Sequence, residues 1–347
     1  MGMEREMRYG SVCSGIEAAT AAWHGLGWQP SFFSEIEPFP RAVLAHHYPH
    51  VPLHGDFTTI KGDQYEPIDL LVGGTPCQSF SVAGLRGGLD DDRGNLALEF
   101  LRLADRTRPR WLVWENVPGV LSSNGGRDFG SIVGGMVQLG YGFAWRILDA
   151  QYFGVAQRRR RLFVVGYLGD WRGAAAVLFE RYSLQGHPAP RREAEKGIAG
   201  TLGGSSQSGG FRTTDLDNNG AFIPVIAKTL LSFGHAANPL DETLLPMAFT
   251  TEQTPKYNND CALTLTKQSP TGGGQPQAVA TAAAVRRLTP RECERLQGFP
   301  DDYTLVPYRG KPAADGPRYK ALGNSMAVPV MRWIGERIAA SERRHAA

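Results

Sequence analysis

Short apolar runs alternate with helix-like patterns through the first 167 residues of the chain. We predict strands at residues 9–13, 29–34, 67–72, 111–114, 143–148 and 162–167. Apolar residues at helical spacing lie between the early runs, at about 16–24, 38–47 and 95–105. Strands that alternate with helices are typical of an α/β protein with a doubly wound, mainly parallel sheet. The alternation therefore predicts this fold class.

Residues that can take part in catalysis or ligand binding follow several of the predicted strands at the point where each strand ends. They are Ser14 and Gly15 after the first strand, Glu35 after the second, Asp56 after a short VPLH segment, Cys77 after residues 67–72 and Glu115 after residues 111–114. Open α/β sheets bind ligands at the carboxyl ends of their strands. The sequence therefore predicts that these residues share one site.

The stretch GGTPCQSFS, residues 73–81, holds Cys77 on a loop with little conformational freedom. Gly73 and Gly74 are expected to allow a sharp turn, and Pro76 fixes its own φ and restricts the residue before it. A cysteine packed only for its apolar character needs no such loop. We therefore predict that Cys77 is a nucleophile.

The other three cysteines, Cys13, Cys261 and Cys293, lie far apart, and the chain has no CxxC pair. This spacing argues against both a disulfide framework and a zinc site. We expect small buried or half-buried residues in a reducing compartment. The stretch HHYPHVPLH, residues 46–54, is better explained by a helix end and a linker than by metal binding, so we expect no metal.

A glycine after a first strand, with an acidic residue about 20 positions later, is the arrangement of a nucleoside-binding site. Gly15 permits close approach of a ligand, and the Glu35 carboxylate can accept hydrogen bonds from ribose hydroxyls. The chain lacks a GxGxxG motif at this place, which argues against a dinucleotide and favours S-adenosylmethionine. A packed strand–helix turn without a ligand is the alternative.

The stretch WENVPGV places Glu115 at the end of an apolar strand, before a turn that contains Pro118 and Gly119. A carboxylate in this setting is partly desolvated, which raises its pKa and allows it to donate or share a proton. A solvated carboxylate at a strand end is the alternative. Beside Cys77, the catalytic role is favoured.

The stretch AQRRRRLFVVG leads into another predicted strand. Alternation along an extended chain sends Gln157, Arg159 and Arg161 to one face and Arg158 and Arg160 to the other. One face is expected to enter the site while the other meets phosphate. A solvated basic turn is the alternative.

Residues 169–285 differ in composition from the rest of the chain. They are rich in Gly, Ser, Asn and Pro, and the alternation of strands and helices disappears. A weak repeat, x-Ala-x-Thr-Leu, recurs at 198–202, 226–230 and 261–265, which predicts short strands of a small β-rich insert. Regular structure resumes at Thr289 with a capping box, and a last helix is predicted at about 328–341.

The composition is that of a globular protein, with 42% hydrophobic and 20% charged residues among 347. No run approaches the roughly 20 apolar residues that span a membrane, and no signal peptide is evident, so we expect a cytoplasmic protein. The net charge is +3, and only seven of the 37 basic residues are lysine. Arginine suits contacts with phosphate and guanine, although a GC-rich genome gives the same bias.

Seven stretches together resemble a known enzyme family. They are SVCSGIE, GGTPCQSFS, DRGNL, ENVPGV, QRRRR, RRLTPRECERLQGFP and YKALGNSMAVPV. Their types and their order resemble the DNA (cytosine-5)-methyltransferases of bacteria and phages, over residues 9–167 and 286–343. The fold implied is that of S-adenosylmethionine-dependent methyltransferases. Residues 169–285 lie where such enzymes carry a target-recognition region.

The resemblance implies three segments: a catalytic and cofactor-binding domain at 1–168, an irregular β-rich target-recognition region at 169–285, and a C-terminal segment at 286–347. The last helix of the C-terminal segment is expected to return to the catalytic domain. The reaction implied is transfer of a methyl group from S-adenosylmethionine to C5 of a cytosine that has left the duplex. The Cys77 thiolate adds to C6, Glu115 engages N3, and Arg161 engages the O2 side.

The resemblance also assigns the remaining site residues. The catalytic set is Cys77, Glu115, Arg159 and Arg161. The cofactor set is Cys13, Ser14, Gly15, Ile16, Glu35, Ile36, Asp56, Phe57, Pro76, Asn324 and Ser325. The DNA set is Gln78, Ser81, Asn116 and Gln157. The chain departs from the family pattern at Cys13 and Glu17, where an aromatic residue and a glycine are usual, at Ile36, where tryptophan is common, and at Thr75, where proline is usual.

Two other functions stay open at this point. An RNA cytosine-5 methyltransferase shares the catalytic set, although the long Gly-rich insert favours DNA. A non-catalytic, DNA-binding regulatory relative is expected to lack Cys77 or Glu115, and both are present. The expected partner is double-stranded DNA, bound by a monomer. Whether a cognate restriction endonuclease acts separately, or the enzyme is solitary, is left open by the sequence.

Overall fold

A computed structural model describes residues 6–76, 95–179, 247–250, 257–258, 277–280 and 285–346 of the chain. Cys77, Gln78 and Ser81 lie outside the described residues, as do Cys261, the three predicted repeats and most of the segment 169–285. The described residues contain one large sheet with helices, a small antiparallel sheet and a short hairpin.

The large sheet has seven strands in the order β3-β2-β1-β4-β5-β7-β6. They are β1 (Arg8–Val12), β2 (Gln29–Ser34), β3 (Leu53–His54), β4 (Leu70–Gly73), β5 (Trp111–Asn116), β6 (Tyr141–Asp149) and β7 (Arg160–Leu168). The first five strands pair in parallel, and β7 runs antiparallel to both of its neighbours. The predicted doubly wound, mainly parallel sheet is confirmed. Its strand order reverses between β1 and β4, the place where such sheets bind ligands.

Helices cover both faces of this sheet. They are α1 (Ala18–Trp23), α2 (Pro38–His47), α3 (Leu96–Thr107), α4 (Arg127–Gln138), α5 (Trp171–Leu178), α6 (Pro290–Gln297), α7 (Asp315–Asn324) and α8 (Val328–Ala346). Helices α3 and α4 contribute to the core on one face, and the other six contribute to the core on the opposite face. Strand β5 shows why both cores form: Trp111 and Val113 face one, and Leu112 and Trp114 face the other, as the two-residue period of a strand requires.

Several helices begin where their sequences predict. The Asn95 side chain caps α3 by accepting from the Ala97 N–H at 3.0 Å. The predicted capping box of α6 is present, with the Thr289 hydroxyl accepting from the Glu292 N–H at 3.3 Å and the Glu292 carboxylate accepting from the Thr289 N–H at 2.7 Å. Such caps satisfy backbone donors that have no partner inside the helix.

Helix α5 packs with the large sheet, although the sequence predicted the irregular region to start at residue 169. Its Ala174, Val177 and Leu178 are fully buried in the core. Two arginines fasten its last turn: Arg337 of α8 donates to the carbonyls of residues 176, 177 and 179, and Arg146 of β6 donates to the Leu178 carbonyl at 2.9 Å.

The small sheet has four antiparallel strands in the order β11-β10-β8-β9. They are β8 (Met247–Thr250), β9 (Tyr257–Asn258), β10 (Gln277–Ala280) and β11 (Val285–Arg287). A hairpin of β12 (Pro307–Tyr308) and β13 (Lys311–Pro312) follows α6. Among the described helices, none combines the length and apolar character that a membrane span needs.

Candidate active site

The direction of β7 brings two predicted parts of the site together. Because β7 is antiparallel to β5, its first residues lie at the edge where the parallel strands end. In the register of the two strands, Leu162 stands opposite Asn116 and Phe163 opposite Glu115. The Arg161 Nε lies 3.1 Å from the Glu115 Oε1 as a result. The predicted Glu115 and Arg161 therefore form an ion pair at the carboxyl edge of the sheet.

Glu115 is 9% exposed. Its burial raises the pKa of the carboxyl, and the positive charges of Arg161 and Arg159 act in the opposite direction. Burial outweighs the two arginines, so the carboxyl takes up a proton more readily than one in water. The predicted partly desolvated carboxyl is present, and a group of this kind can donate a proton to a bound base.

Gly73 and Gly74 are needed for space rather than for a turn. Neither has a positive φ. A Cβ on Gly73 would meet the Val12 side chain at 2.7 Å, and one on Gly74 would meet the Glu115 Oε2 at 3.0 Å. The expected sharp turn at these glycines is therefore not what the structure shows. Gly73 lets β4 lie close to β1, and Gly74 lets the chain before Cys77 lie directly against the Glu115 carboxyl.

Thr75 is fastened to β5 by two hydrogen bonds. The Trp114 Nε1 donates to the Thr75 Oγ1 at 2.9 Å, and the Asn116 Nδ2 donates to the Thr75 carbonyl at 3.1 Å. The Asn116 Oδ1 in turn accepts from the Val117 N–H at 2.8 Å. Asn116 thus holds the chain that leads to Cys77. Its assignment to DNA, which the resemblance gave, stays a prediction. Thr75 supplies an anchoring hydroxyl that the proline usual in the family lacks.

The predicted alternation of the basic stretch is present: Gln157 and Arg159 are buried, whereas Arg160 is exposed. Arg159 donates to the Gly323 and Ser325 carbonyls at 3.2 and 2.7 Å, and burial lowers the pKa of its guanidinium to about 9. Arg159 therefore joins the C-terminal segment to the site. The Gln157 amide has no hydrogen-bond partner within the described part of the chain.

Gly15 and Glu35 meet as their spacing predicts. The Gly15 N–H donates to the Glu35 Oε2 at 2.8 Å, and Gly15 has a φ of 56°. The Glu35 Oε1 accepts from the N–H groups of Ile36 and Glu37, each at 2.8 Å. These bonds fix the carboxylate at the end of β2, beside the loop that follows β1.

A cavity of about 940 Å³ joins the two halves of the site. Of the predicted residues, it is lined by Cys13, Gly15, Glu35, Ile36, Asp56, Phe57, Pro76, Glu115, Asn116, Arg159, Arg161 and Asn324. Ser14 and Ser325 line a second cavity of about 40 Å³ that shares Gly15 and Glu115 with the first. Ile16 is fully buried in the core, and neither Ile16 nor Gln157 lines either cavity.

Cys13 lines the large cavity, but its surroundings oppose ionisation of its thiol. Burial, with smaller contributions from Glu35 and Asp56, raises the pKa of its thiol to about 12. Burial likewise raises the pKa of Cys293 to about 12. A thiol must ionise to attack, and burial opposes this in both. Cys13 is half-buried and Cys293 is buried, as the sequence predicts for them.

The sequence missed part of the cavity wall. Tyr308 and Arg309 of the β12–β13 hairpin line it, and Lys320 of α7 pairs across it with Glu37 at 2.7 Å. The sequence signal that could have found the hairpin is Gly310, because two-residue hairpin loops need a positive φ. The structure has a positive φ at both Arg309 and Gly310. Among the described residues, no cluster of three His, Cys, Asp or Glu side chains is arranged to hold a metal.

The chain belongs to the C-5 cytosine-specific DNA methylase family, which it matches over residues 7–340. The resemblance drawn from its motifs is confirmed, and the chain is a methyltransferase of the kind found in DNA restriction and modification. The family implies S-adenosylmethionine as the methyl donor and DNA as the substrate.

Particular relatives show how far the likeness extends. The chain is 38% identical, over 96% of its length, to the DNA N-6-adenine-methyltransferase of Escherichia phage P1, of which it spans 61%. The name of that relative refers to adenine. The chain is also 30% identical, over 88% of its length, to the type II methyltransferase M.SsoII of Shigella sonnei, of which it spans 73%.

Solved structures confirm the fold. The S. pombe Dnmt2 methyltransferase superposes with a TM-score of 0.61 at 17% identity, covering 96% of this chain and 99% of that one. The Entamoeba histolytica methyltransferase EhMeth superposes with a TM-score of 0.58 at 18% identity, covering 97% and 99% of the two chains.

Proposed function

We propose that the chain transfers a methyl group from S-adenosylmethionine to C5 of a cytosine in a specific duplex DNA sequence, after the base leaves the stack and through a covalent bond between Cys77 and C6. The observation that carries this proposal is the shared cavity. The Glu115–Arg161 pair and the Gly15–Glu35 pair line the same space. A base and a methyl donor held by these two pairs would occupy the same cavity.

The cavity residues fit the proposed cofactor. Ile36 lines the cavity with 71% of its surface exposed, and it offers an apolar face to an adenine ring in place of the usual tryptophan. Phe57 lines the same region, and the Asp56 carboxylate is available to an amino group. S-adenosylmethionine, when bound, supplies a methyl group on a sulfonium that a nucleophilic carbon can accept. Asn324 bounds the cavity from the C-terminal segment.

The residues of the chain would activate the base. Cytosine C5 is a poor nucleophile, and addition of the Cys77 thiolate to C6 moves electron density onto C5. The Glu115 carboxyl would donate a hydrogen bond or proton to N3, and Arg161 would bind the O2 side while orienting Glu115. After methyl transfer, loss of the C5 proton re-forms the double bond and expels the Cys77 thiolate. Arg159 would act by holding the C-terminal segment in place.

The remaining assignments complete the proposal. Gln78 and Ser81 are proposed to contact DNA beside Cys77, Gln157 to support the basic stretch, and Ile16 to act on the cofactor only through the backbone of its loop. We infer that the catalytic domain extends through α5 and that a recognition region occupies about residues 180–285. We further propose action in the cytoplasm, as a monomer, with any restriction endonuclease acting separately.

The test of the function is direct. The purified chain would be incubated with tritiated S-adenosylmethionine and either duplex DNA or transfer RNA, and the modified nucleosides would be separated by mass spectrometry. We expect 5-methylcytosine in DNA. N6-methyladenine as the product would contradict the proposal, and 5-methylcytosine in RNA alone would favour the RNA enzyme instead.

Replacement of Glu35 by alanine should weaken cofactor binding. Loss of a hydrogen bond to a charged group costs about 1–3 kcal/mol, and Glu35 also orients the Gly15 loop through the 2.8 Å bond. Isothermal titration with S-adenosylmethionine measures the change, with the exposed Asp63→Ala variant as the control. Unchanged affinity in Glu35→Ala would mean that another acidic residue holds the ribose.

The segment from about residue 180 to 285 should choose the DNA sequence. Recognition concentrates in loops that a rigid scaffold holds, and base edges are read by few groups while phosphate contacts set the register. Grafting this segment from a relative of different specificity should transfer that specificity, as methylome sequencing would show. An active chimera that keeps the original target would contradict the assignment.

A further inference from the structure

The loop that follows β1 is conformationally strained at two residues. Cys13 and Glu17 have φ values of 49° and 64°, in the left-handed region, which L-residues other than glycine rarely adopt because of a steric cost. Glycine is usual in the family at the position of Glu17. Residues in such conformations persist only where surrounding contacts determine them. The side chain of Glu17 must therefore contribute something that glycine would not.

The Glu17 carboxylate connects the strand before the loop with the helix after it. The Ser11 hydroxyl of β1 donates to its Oε2 at 2.8 Å. The N–H and the hydroxyl of Thr20, in the first turn of α1, donate to its Oε1 at 3.2 and 3.1 Å. The Tyr9 hydroxyl of β1 lies 2.7 Å from the Thr20 hydroxyl and extends the network. The carboxylate is 1% exposed, so these bonds are shielded from water.

The same loop carries the contacts of the proposed cofactor site. Gly15, two residues before Glu17, donates to Glu35 at 2.8 Å. Ser14 donates to the Ser34 carbonyl at the end of β2, and the Tyr303 hydroxyl donates to the Ile16 carbonyl at 2.9 Å. The loop is thus held by β2, by the C-terminal segment and, on its buried side, by Glu17.

We propose that Glu17 is a positioning residue for the cofactor: its bonds to Ser11 and Thr20 hold residues 13–17 in the strained form that presents Gly15 to Glu35. This inference rests on the proposed binding of S-adenosylmethionine. Glu17 lines the small cavity beside Ser14 but not the large cavity proposed for the cofactor, so it acts through the loop.

The charge state of Glu17 gives the proposal a second readout. The groups that face its carboxyl are Tyr9, Tyr48, Tyr303 and Glu35, and no lysine or arginine in the described ranges pairs with it. Burial raises its pKa to about 7. Above that pH the ionised carboxylate accepts charge-assisted bonds from all three donors. Below it the carboxyl is neutral, the Ser11 hydroxyl must turn to accept from the protonated oxygen, and the bonds that hold the loop become weaker. Cofactor affinity should therefore rise as the pH is raised through 7.

The experiment compares three variants by isothermal titration with S-adenosylmethionine at pH values on both sides of 7. Glu17→Ala removes all three bonds and should weaken binding about tenfold or more at the higher pH. Glu17→Gln keeps an acceptor for Thr20, and the Ser11 hydroxyl can turn to accept from the new amide. It should bind within about threefold of the native chain at the lower pH and show no dependence across this range.

The matched control is Asp128→Ala. Asp128 is also 1% exposed and accepts from the side chains of Ser123 and Asn124, but it lines neither cavity. Thermal unfolding of both alanine variants reports the purely structural loss, and only Glu17→Ala should lose cofactor affinity.

The possible outcomes are distinct. Native affinity in Glu17→Ala, an equal loss in Asp128→Ala, or an unchanged pH dependence in Glu17→Gln would overturn the positioning role. If Glu17→Ala does not fold, the pH profile of Glu17→Gln decides alone. Failure of the unsubstituted chain to bind S-adenosylmethionine would instead overturn the proposed function, and the inference with it.

Discussion

Cys77→Ser is expected to reduce methyl transfer by at least about 10⁴-fold, as loss of a nucleophile does in other enzymes that form a covalent intermediate. A serine hydroxyl at neutral pH is far less ionised than a thiol, so it cannot add to C6 at a useful rate. Cofactor affinity should stay within about tenfold of the native value, since one atom changes and thiol chemistry is not needed for binding. A tritiated-methyl assay and isothermal titration give the two quantities.

Cys293→Ala is the matched control for Cys77→Ser. The Cys293 thiol is buried in the core, outside both cavities, and its loss should leave the rate unchanged. DNA with 5-fluorocytosine at the target supplies a sharper test, because fluorine on C5 blocks the final loss of the proton. The native chain should form a complex that survives denaturation, and Cys77→Ser should not. Substantial turnover by Cys77→Ser would refute the nucleophilic role.

Glu115→Gln should lower kcat by about 10²–10⁴-fold, the range for loss of a general acid. Glutamine can still donate a hydrogen bond to N3, but it cannot transfer a proton. The loss therefore isolates proton transfer from binding. KM for DNA should change much less than kcat, and steady-state kinetics separates the two.

Asp69→Asn is the control for Glu115→Gln. The Asp69 Oδ1 pairs with the Arg110 Nη2 at 3.1 Å, the same distance as in the Glu115–Arg161 pair. Asp69 directly precedes β4, at the end of the strand away from the site, so its substitution tests the loss of an ion pair with a buried carboxylate without touching the site. An equal loss of kcat in both variants would mean that Glu115 acts only through stability.

The dependence of the methylation rate on pH also tests whether Glu115 donates a proton. Burial raises the pKa of Glu115. Because a proton donor must be protonated to act, the rate should fall as the pH rises through the pKa of Glu115. Cys77 must be ionised, so the rate should rise with pH on the acid side. The profile is then bell-shaped, and Glu115→Gln should lose the alkaline limb.

The sequence predicted the parts of the fold that depend on local pattern. The strand predicted at 29–34 coincides with β2, and the predicted strand at 143–148 lies inside β6. The pairing of Gly15 with Glu35 also follows from a local rule, because consecutive parallel strands end at one edge. Helix α4 was missed because Gly130, Gly134 and Gly135 lie within it, and glycine has a poor helix propensity.

Other features depend on contacts that are distant in sequence. The reversed direction of β7, which brings Arg161 to Glu115, has no local signal, since a hairpin can insert into a sheet either way round. The left-handed conformation at Glu17 contradicts the ordinary preference of that residue and is set by Ser11 and Thr20. Tyr308 and Lys320 line the large cavity only because the C-terminal segment folds back on the first strands.

The arginines that fasten the last turn of α5 bear on how such enzymes can diverge. Arg337 and Arg146 hold the chain at the place where it leaves the large sheet. Where it returns, the Tyr319 hydroxyl donates to the carbonyl of Leu288, which is itself buried. With both attachment points fixed by the catalytic scaffold, we expect changes in the recognition region proposed for about residues 180–285 to leave the reacting groups undisturbed. On that proposal, descendants of one ancestral enzyme could acquire new targets while inheriting the same chemistry.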